Sequence, residues 1–204
     1  SAFLCIPLIL AFIYGETSAA TAFVFTLVVS LLIGGGLSLL RPKDKSFFAR
    51  DGFVTVSLSW IVMSLLGSLP FFISKYIPSF IDAFFETVSG FTTTGSSILT
   101  NVESLPKSLL YWRSFTHWLG GMGVLVFLLA IIPLGKGNGV SMHLLRAESP
   151  GPEVGKLVPK LRQTAIYLYG TYMALSVLDF TFLILGDMNW FEALCTTFST
   201  AGTG

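Results

Sequence analysis

Charge is scarce in this chain. Asp, Glu, Lys and Arg make up 11% of its 204 residues, against about a quarter in soluble domains. Hydrophobic residues reach 53% and the mean hydropathy is +0.78, so a soluble globular domain is excluded and a lipid bilayer is the expected surrounding. The net charge of +1 gives no reason to expect a nucleic-acid partner. Cysteine is nearly absent: Cys5 and Cys195 both fall in apolar runs, which leaves neither a disulfide framework nor a metal site. No combination of residues resembles a catalytic triad or a zinc site, so no enzyme activity and no cofactor are expected. A basic stretch ahead of residues 5–14 is also missing, and no cleavable signal peptide is read there. Ser1 already lies in an apolar run and Gly204 within a motif, so an N-terminal piece of a longer protein is expected.

What the chain does have is long apolar runs. A helix needs roughly 20 mostly apolar residues to span a bilayer. Residues 20–40, 53–73, 109–134 and 161–185 meet that length, and 2–14 is a shorter apolar segment. Two further apolar stretches, 81–91 and 190–198, are too short to span. Each is followed by small hydroxyl residues and glycine, which predicts a re-entrant helix with an extended return, tolerated at membrane depth only when buried in protein or lining water. The distribution of charge supports this layout. The loop at 41–50 and the stretch at 135–162 hold nine of the twelve Lys and Arg residues, whereas 15–18 and 186–189 hold acids and no bases. Alternate loops therefore differ as the positive-inside rule requires, with 41–50 and 135–162 cytoplasmic, provided 81–100 enters and leaves on the same face.

The two short stretches match one another. DAFFETVSGFTTTG at 82–95 and EALCTTFSTAGTG at 192–204 align without a gap at a shift of 110, with Ala83/Ala193, Thr87/Thr197, Ser89/Ser199 and Thr93/Thr203 identical. The expected repeat is a spanning helix, a short pore helix with its return, and a second spanning helix. Its organisation is two N-terminal helices over 1–40, a first repeat over 41–134, a cytoplasmic connection at 135–160 and half of a second repeat over 161–204. The fold class is an all-α polytopic membrane protein of helix–pore loop–helix units.

A cation filter requires an extended backbone whose carbonyls replace water around the ion, with glycine where a side chain would obstruct the turn. Candidate ion-binding residues are Thr92, Thr93, Thr94, Gly95 and Ser96 in the first copy and Ala201, Gly202, Thr203 and Gly204 in the second. Threonine hydroxyls either add oxygens or brace the loop. The pore helices would direct the negative ends of their dipoles at the ion. Asp82 and Glu86 lie one turn apart and either gather cations at the mouth or, for Glu86, pair with Arg113, where a lone charge would be costly. The pair is the favoured reading, which makes Glu86 and Arg113 supporting residues. Asp179 stands in an apolar helix as either a functional carboxylate or a hydrogen-bonded contact. His117 reads as a packed interface histidine. Gly34, Gly35 and Gly36, and likewise Gly120, Gly121 and Gly123, read as sites of close helix approach. The run from Gly135 to Gly139 lacks the strand and spacing of a phosphate loop and reads as a turn.

These motifs carry a family resemblance. The stretches 82–95, 112–123 (WRSFTHWLGGMG), 146–152 (RAESPGP) and 198–204 (FSTAGTG) resemble the membrane subunit of bacterial Trk-type potassium uptake systems, within the Trk/Ktr/HKT superfamily. The resemblance covers essentially the whole chain. It implies four repeats around one pore, of which about one and a half are present here, potassium as the substrate ion, and a bacterial inner-membrane location. It also implies a homodimer of the full-length protein and a cytoplasmic TrkA-like nucleotide-binding partner. The alternatives are a sodium-permeable or ion-coupled member of the superfamily and a membrane assembly subunit without a pore.

Overall fold

In the computed structural model the backbone is described for residues 2–39, 49–131 and 161–203, and side chains for 2–39, 54–123 and 166–203. The basic residues 41–48, the stretch 132–160 with its RAESPGP motif, and Gly204 lie outside the described residues.

Helices account for nearly all of the described chain: α1 (Cys5–Ile13, preceded by a 3-10 turn at Ala2–Leu4), α2 (Thr17–Leu39), α3 (Ala49–Ile73), α4 (Phe80–Phe91), α5 (Lys107–Ile131), α6 (Leu161–Leu185) and α7 (Trp190–Ala201). Among the described residues, three segments are long and apolar enough to cross a membrane, Thr17–Leu39, Val54–Ile73 and Ile166–Leu185. The repeat is visible in the lengths. Both α3 and α6 have 25 residues and both α4 and α7 have 12. The long helices are offset by 112 positions and the short ones by 110, because the connection before α7 is two residues shorter.

Local chemistry sets these boundaries. Ser79 and Asn189, themselves 110 apart, occupy the N-caps of α4 and α7 and accept from the backbone N–H groups of Asp82 and Phe191. An acid follows three positions after each cap, Asp82 and Glu192, favourably placed in the positive first turn of its helix. Two residues past the ends of α3 and α6 stand Lys75 and Asp187, with φ of 63° and 62°. A left-handed residue just past a helix frees the chain to reverse direction.

The segments meet through close packing. A bilayer offers apolar side chains the same environment as a neighbouring helix does, so association there rests on dispersion contacts and interhelical hydrogen bonds. Helix α4 packs between α3 and α5, and α7 between α5 and α6. Helix α5 is the shared wall, and most of its side chains from Ser108 to Leu119 are buried. Phe198 of α7 sits in an aromatic group with Tyr111, Phe115 and Trp118 at ring-centroid distances of 5.7, 5.4 and 5.2 Å. The indole N–H of Trp112 donates to the Gly67 carbonyl of α3 at 2.9 Å. The indole N–H of Trp118 donates to Ser176 Oγ of α6 at 3.1 Å.

The N-terminal pair α1–α2 is attached at one end of this assembly. Gly15, with φ 69°, makes the tight turn. Glu16 then accepts from the backbone N–H of Lys107 at 2.8 Å and of Ser108 at 3.1 Å, and from the Ser108 hydroxyl. The carboxylate thus caps the first turn of a helix 91 residues away. The Lys107 ammonium lies 4.5 Å from the centre of the Tyr14 ring and 5.7 Å from that of Phe191, so the α1–α2 turn, the start of α5 and the start of α7 share one end of the bundle.

Two expectations fail here. Gly34, Gly35 and Gly36 have no close neighbour among the described residues: a Cβ at any of them meets nothing within 4 Å, because that stretch of α2 is exposed. Helix α7 also runs on to Ala201 rather than ending at Phe198. No glycine interrupts 190–201, so the helix continues until Gly202 caps it. Replacing Glu16 by Ala removes the acceptor for both α5 N–H groups and is expected to lower stability by about 1–2 kcal/mol. Thermal unfolding in detergent checks this, with Glu16→Asp as the partial-rescue comparison.

Candidate ion site

The two short helices end in the same way. At the end of α4, with Thr92 as C-cap, the N–H of Thr93 donates to Gly90 O at 3.0 Å and that of Thr94 to Ser89 O at 2.9 Å. Thr93 is left-handed, with φ 55°. This double bond around a left-handed residue is the Schellman closure of a helix. At the end of α7, the N–H of Thr203 donates to Thr200 O at 3.1 Å and Thr203 has φ 57°. A β-branched residue rarely takes this conformation, which costs about 1–3 kcal/mol and persists only where its surroundings impose it. It occurs twice, at positions 110 apart. Gly95 follows with φ 75°, where glycine carries no penalty.

The two ends also touch. The hydroxyl of Thr203 donates to the carbonyl of Thr93 at 3.0 Å, so equivalent residues of the two repeats are directly joined. The Thr92 hydroxyl donates to Val88 O at 2.7 Å and lies 2.8 Å from the Thr94 hydroxyl. The threonine side chains therefore brace the loop. Among the described residues, none donates a hydrogen bond to the carbonyls of Thr92, Thr94, Gly95 or Ser96.

Behind the first loop lies a buried ion pair. Arg113 Nε donates to Glu86 Oε1 at 2.6 Å, and the two side chains are 10% and 1% exposed. Glu86 also accepts from Ser97 Oγ at 2.9 and 3.0 Å and from the Ile98 backbone N–H at 3.1 Å. The anticipated pairing with Arg113 is thus present, and Glu86 faces inward, which removes it as a cation-gathering group at the mouth. Asp82, one turn earlier, stays partly exposed.

Glycines let these parts meet. A Cβ at Gly120 of α5 would collide with the carbonyls of Phe91 and Gly90, one at Gly90 with Thr116, and one at Gly202 with the backbone of His117. The close approach expected at Gly120, Gly121 and Gly123 is present, against α4, Tyr172 and Trp60 respectively. His117 is buried as expected, with Nδ1 3.0 Å from Arg113 O. Asp179 Oδ2 is enclosed without a hydrogen-bond partner among the described residues, so of the two readings of this carboxylate the hydrogen-bonded helix contact is not made among them.

The residues singled out from sequence fall into place as follows. Thr92, Thr93, Thr94, Gly95 and Ser96 form the return after α4, and Gly202 and Thr203 begin the return after α7. Ala201 does not belong to a return: it is the last residue of α7, in register with Phe91. Gly204 lies outside the described residues. Sequence reasoning missed Ser97 and the backbone of Ile98, which hold Glu86. It also missed the Ser79 and Asn189 caps, although a cap residue with an acid three positions on is a recognised helix-start pattern.

The family profile for TrkH, cation transport protein, matches residues 19–204. The chain belongs to the TrkH family. It is 40% identical over 203 residues to the Trk system potassium uptake protein TrkH of Escherichia coli (strain K12), covering 98% of this chain and 41% of the relative. To TrkG of the same organism it is 36% identical over 201 residues, 97% of this chain and 41% of that protein. To TrkH of Halomonas elongata it is 39% identical over 186 residues, 88% of this chain and 38% of that protein. The crystal structure of the potassium transporter TrkH from Vibrio parahaemolyticus superposes with a TM-score of 0.74 at 33% identity, covering 98% of this chain and 39% of that one. The chain therefore spans about two fifths of the length of these relatives. Family membership and apolar spanning helices together make it an integral membrane protein.

The glycine contacts separate two kinds of helical glycine. Gly120→Ala is expected to destabilise by about 1–3 kcal/mol through overpacking against the α4 carbonyls, while Gly34→Ala is expected to be neutral or to stabilise by up to about 1 kcal/mol. Melting temperatures of the two variants in detergent check the contrast.

Proposed function

We propose that this chain supplies part of the ion path of a potassium uptake protein, with the backbone carbonyls of residues 92–96 and of Gly202, Thr203 and Gly204 lining a selectivity filter. The observation that carries this reading is the convergence of two helix C-termini through equivalent left-handed threonines, bonded at 3.0 Å. Helix C-termini present partial negative charge, and the carbonyls of Thr92, Thr94, Gly95 and Ser96, which accept no hydrogen bond among the described residues, are free to replace water around a cation, while that of Thr93 is engaged by the Thr203 hydroxyl. A fixed carboxylate in the loop would trap the ion, whereas carbonyl dipoles bind it weakly enough for release. Glu86, turned away and neutralised by Arg113, fits that requirement. Potassium is the substrate in this reading, supported by the similarity to the Trk system potassium uptake proteins TrkH and TrkG, and no resident cofactor is needed.

The reading extends to the whole protein. We place it in the bacterial inner membrane as a multi-pass, dimeric subunit of a gated transport system, with residues 41–50 and 135–162 on the cytoplasmic side facing a TrkA-like regulatory partner. Repeats beyond those described would complete the pore.

The experiment is potassium flux through the full-length protein in liposomes. Gly95→Leu forces a bulky side chain into a left-handed position and is expected to abolish uptake while membrane insertion stays intact. Uptake at the parent rate would rule out a filter at 92–96.

A further inference from the structure

The loop after α4 is fixed at both ends, and by different chemistry. Its inner end is closed by the backbone bonds of Thr93 and Thr94 to Gly90 and Ser89. Its outer end is held by a side chain from the middle of the same helix. Glu86 offers two carboxylate oxygens to three donors: Arg113 Nε and Ser97 Oγ at Oε1, and Ser97 Oγ and the Ile98 N–H at Oε2. Residues 92–96 are strung between these two anchors, so the direction of their carbonyls is set from the ends.

We infer that Glu86 is a positioning residue for this loop: its ionised carboxylate holds the outer limb at Ser97 and Ile98, and so determines how well the loop discriminates between cations. The inference rests on the reading of 92–96 as an ion-coordinating loop. Ionisation matters because of donor count. An amide at position 86 keeps one oxygen acceptor and turns the other into a donor. Ser97 is able to reverse its hydroxyl, but neither Arg113 nor the Ile98 N–H is able to accept, so one of the two loses its partner. Arg113 neutralises the carboxylate without touching the loop. The second repeat lacks this device, since the position 110 further on is Thr196. Equivalent loops are thus supported unequally.

Full-length protein in liposomes tests this through potassium, rubidium and sodium flux per inserted molecule. Glu86→Leu/Arg113→Met, which removes every acceptor for the outer limb, is compared with Ser97→Ala and Gly95→Ser. The double variant replaces the buried pair by apolar side chains of similar volume, leaves no unpaired charge, and should insert and melt close to the parent. Its potassium-over-sodium flux ratio should nevertheless fall about tenfold, the usual scale for losing a group that orients ion ligands. A purely structural role predicts instead that the well-folded double variant keeps the parent ratio, and that result overturns the inference. Should the double variant not be recovered folded, Ser97→Ala decides: a lowered ratio supports the positioning role and the parent ratio overturns it. Gly95→Ser reads the underlying assignment separately. An unchanged ratio there, or a parent that passes sodium as freely as potassium, overturns the filter reading itself.

Discussion

The rest of the structure around the loops depends on one buried charge pair. Glu86 and Arg113 lie on different helices, 27 positions apart, and are almost completely enclosed. Each alone would be very costly at membrane depth. Together, with Ser97 and Ile98 completing the shell of the carboxylate, they satisfy one another. Removing one partner of such a pair typically costs about 3–5 kcal/mol, because the survivor is left buried and unmatched. The pair therefore fixes how α4 stands against α5 and where the chain goes after the loop. The Trp112 bond to Gly67, one residue before Arg113, ties the same turn of α5 to α3.

Around that pair the chain builds the same object twice. A 25-residue helix leads to a left-handed residue, a capped 12-residue helix follows, and a left-handed threonine closes it. The copies are similar in backbone but differ in what supports them. The first has a carboxylate behind its loop; the second has the Gly202 contact with the backbone of His117. Such twofold construction suits the pore proposed above, in which each loop would present the same carbonyls from a different direction.

Much of this was legible in the amino-acid sequence, for identifiable reasons. Helix lengths follow from the length of apolar runs, and α6 was placed to the residue because charged and polar stretches bound it. The short helices were legible because they are too brief to span and repeat at a fixed shift. The Glu86–Arg113 pair was legible because buried charge must be matched. Glycine was the less dependable guide. The run at 34–36 and the trio at 120–123 look alike as composition, yet among the described residues only the latter faces a neighbour. Which side of a helix is covered depends on tertiary packing, and apolar residues encircle a membrane helix whether it meets lipid or protein. The end of α7 was misplaced because small hydroxyl residues suggest a turn, whereas Ser199, Thr200 and Ala201 continue the helix. Ser97 was missed because a serine after a glycine-containing loop carries no periodic signal.

The fit of α5 against both short helices has a mechanical consequence. With no clearance at Gly90, Gly120 or Gly202, α5 is keyed to α4 and α7 like a splint between two fractured ends. Sliding it along its axis would drive carbonyl and side-chain atoms into one another. Helix α5 is about 37 Å long at 1.5 Å per residue, and these three contacts, at Thr116, His117 and Gly120, cluster near its middle, away from the Ile131 end. Any displacement at its far end must therefore reach both loops at once, as a tilt of one rigid body.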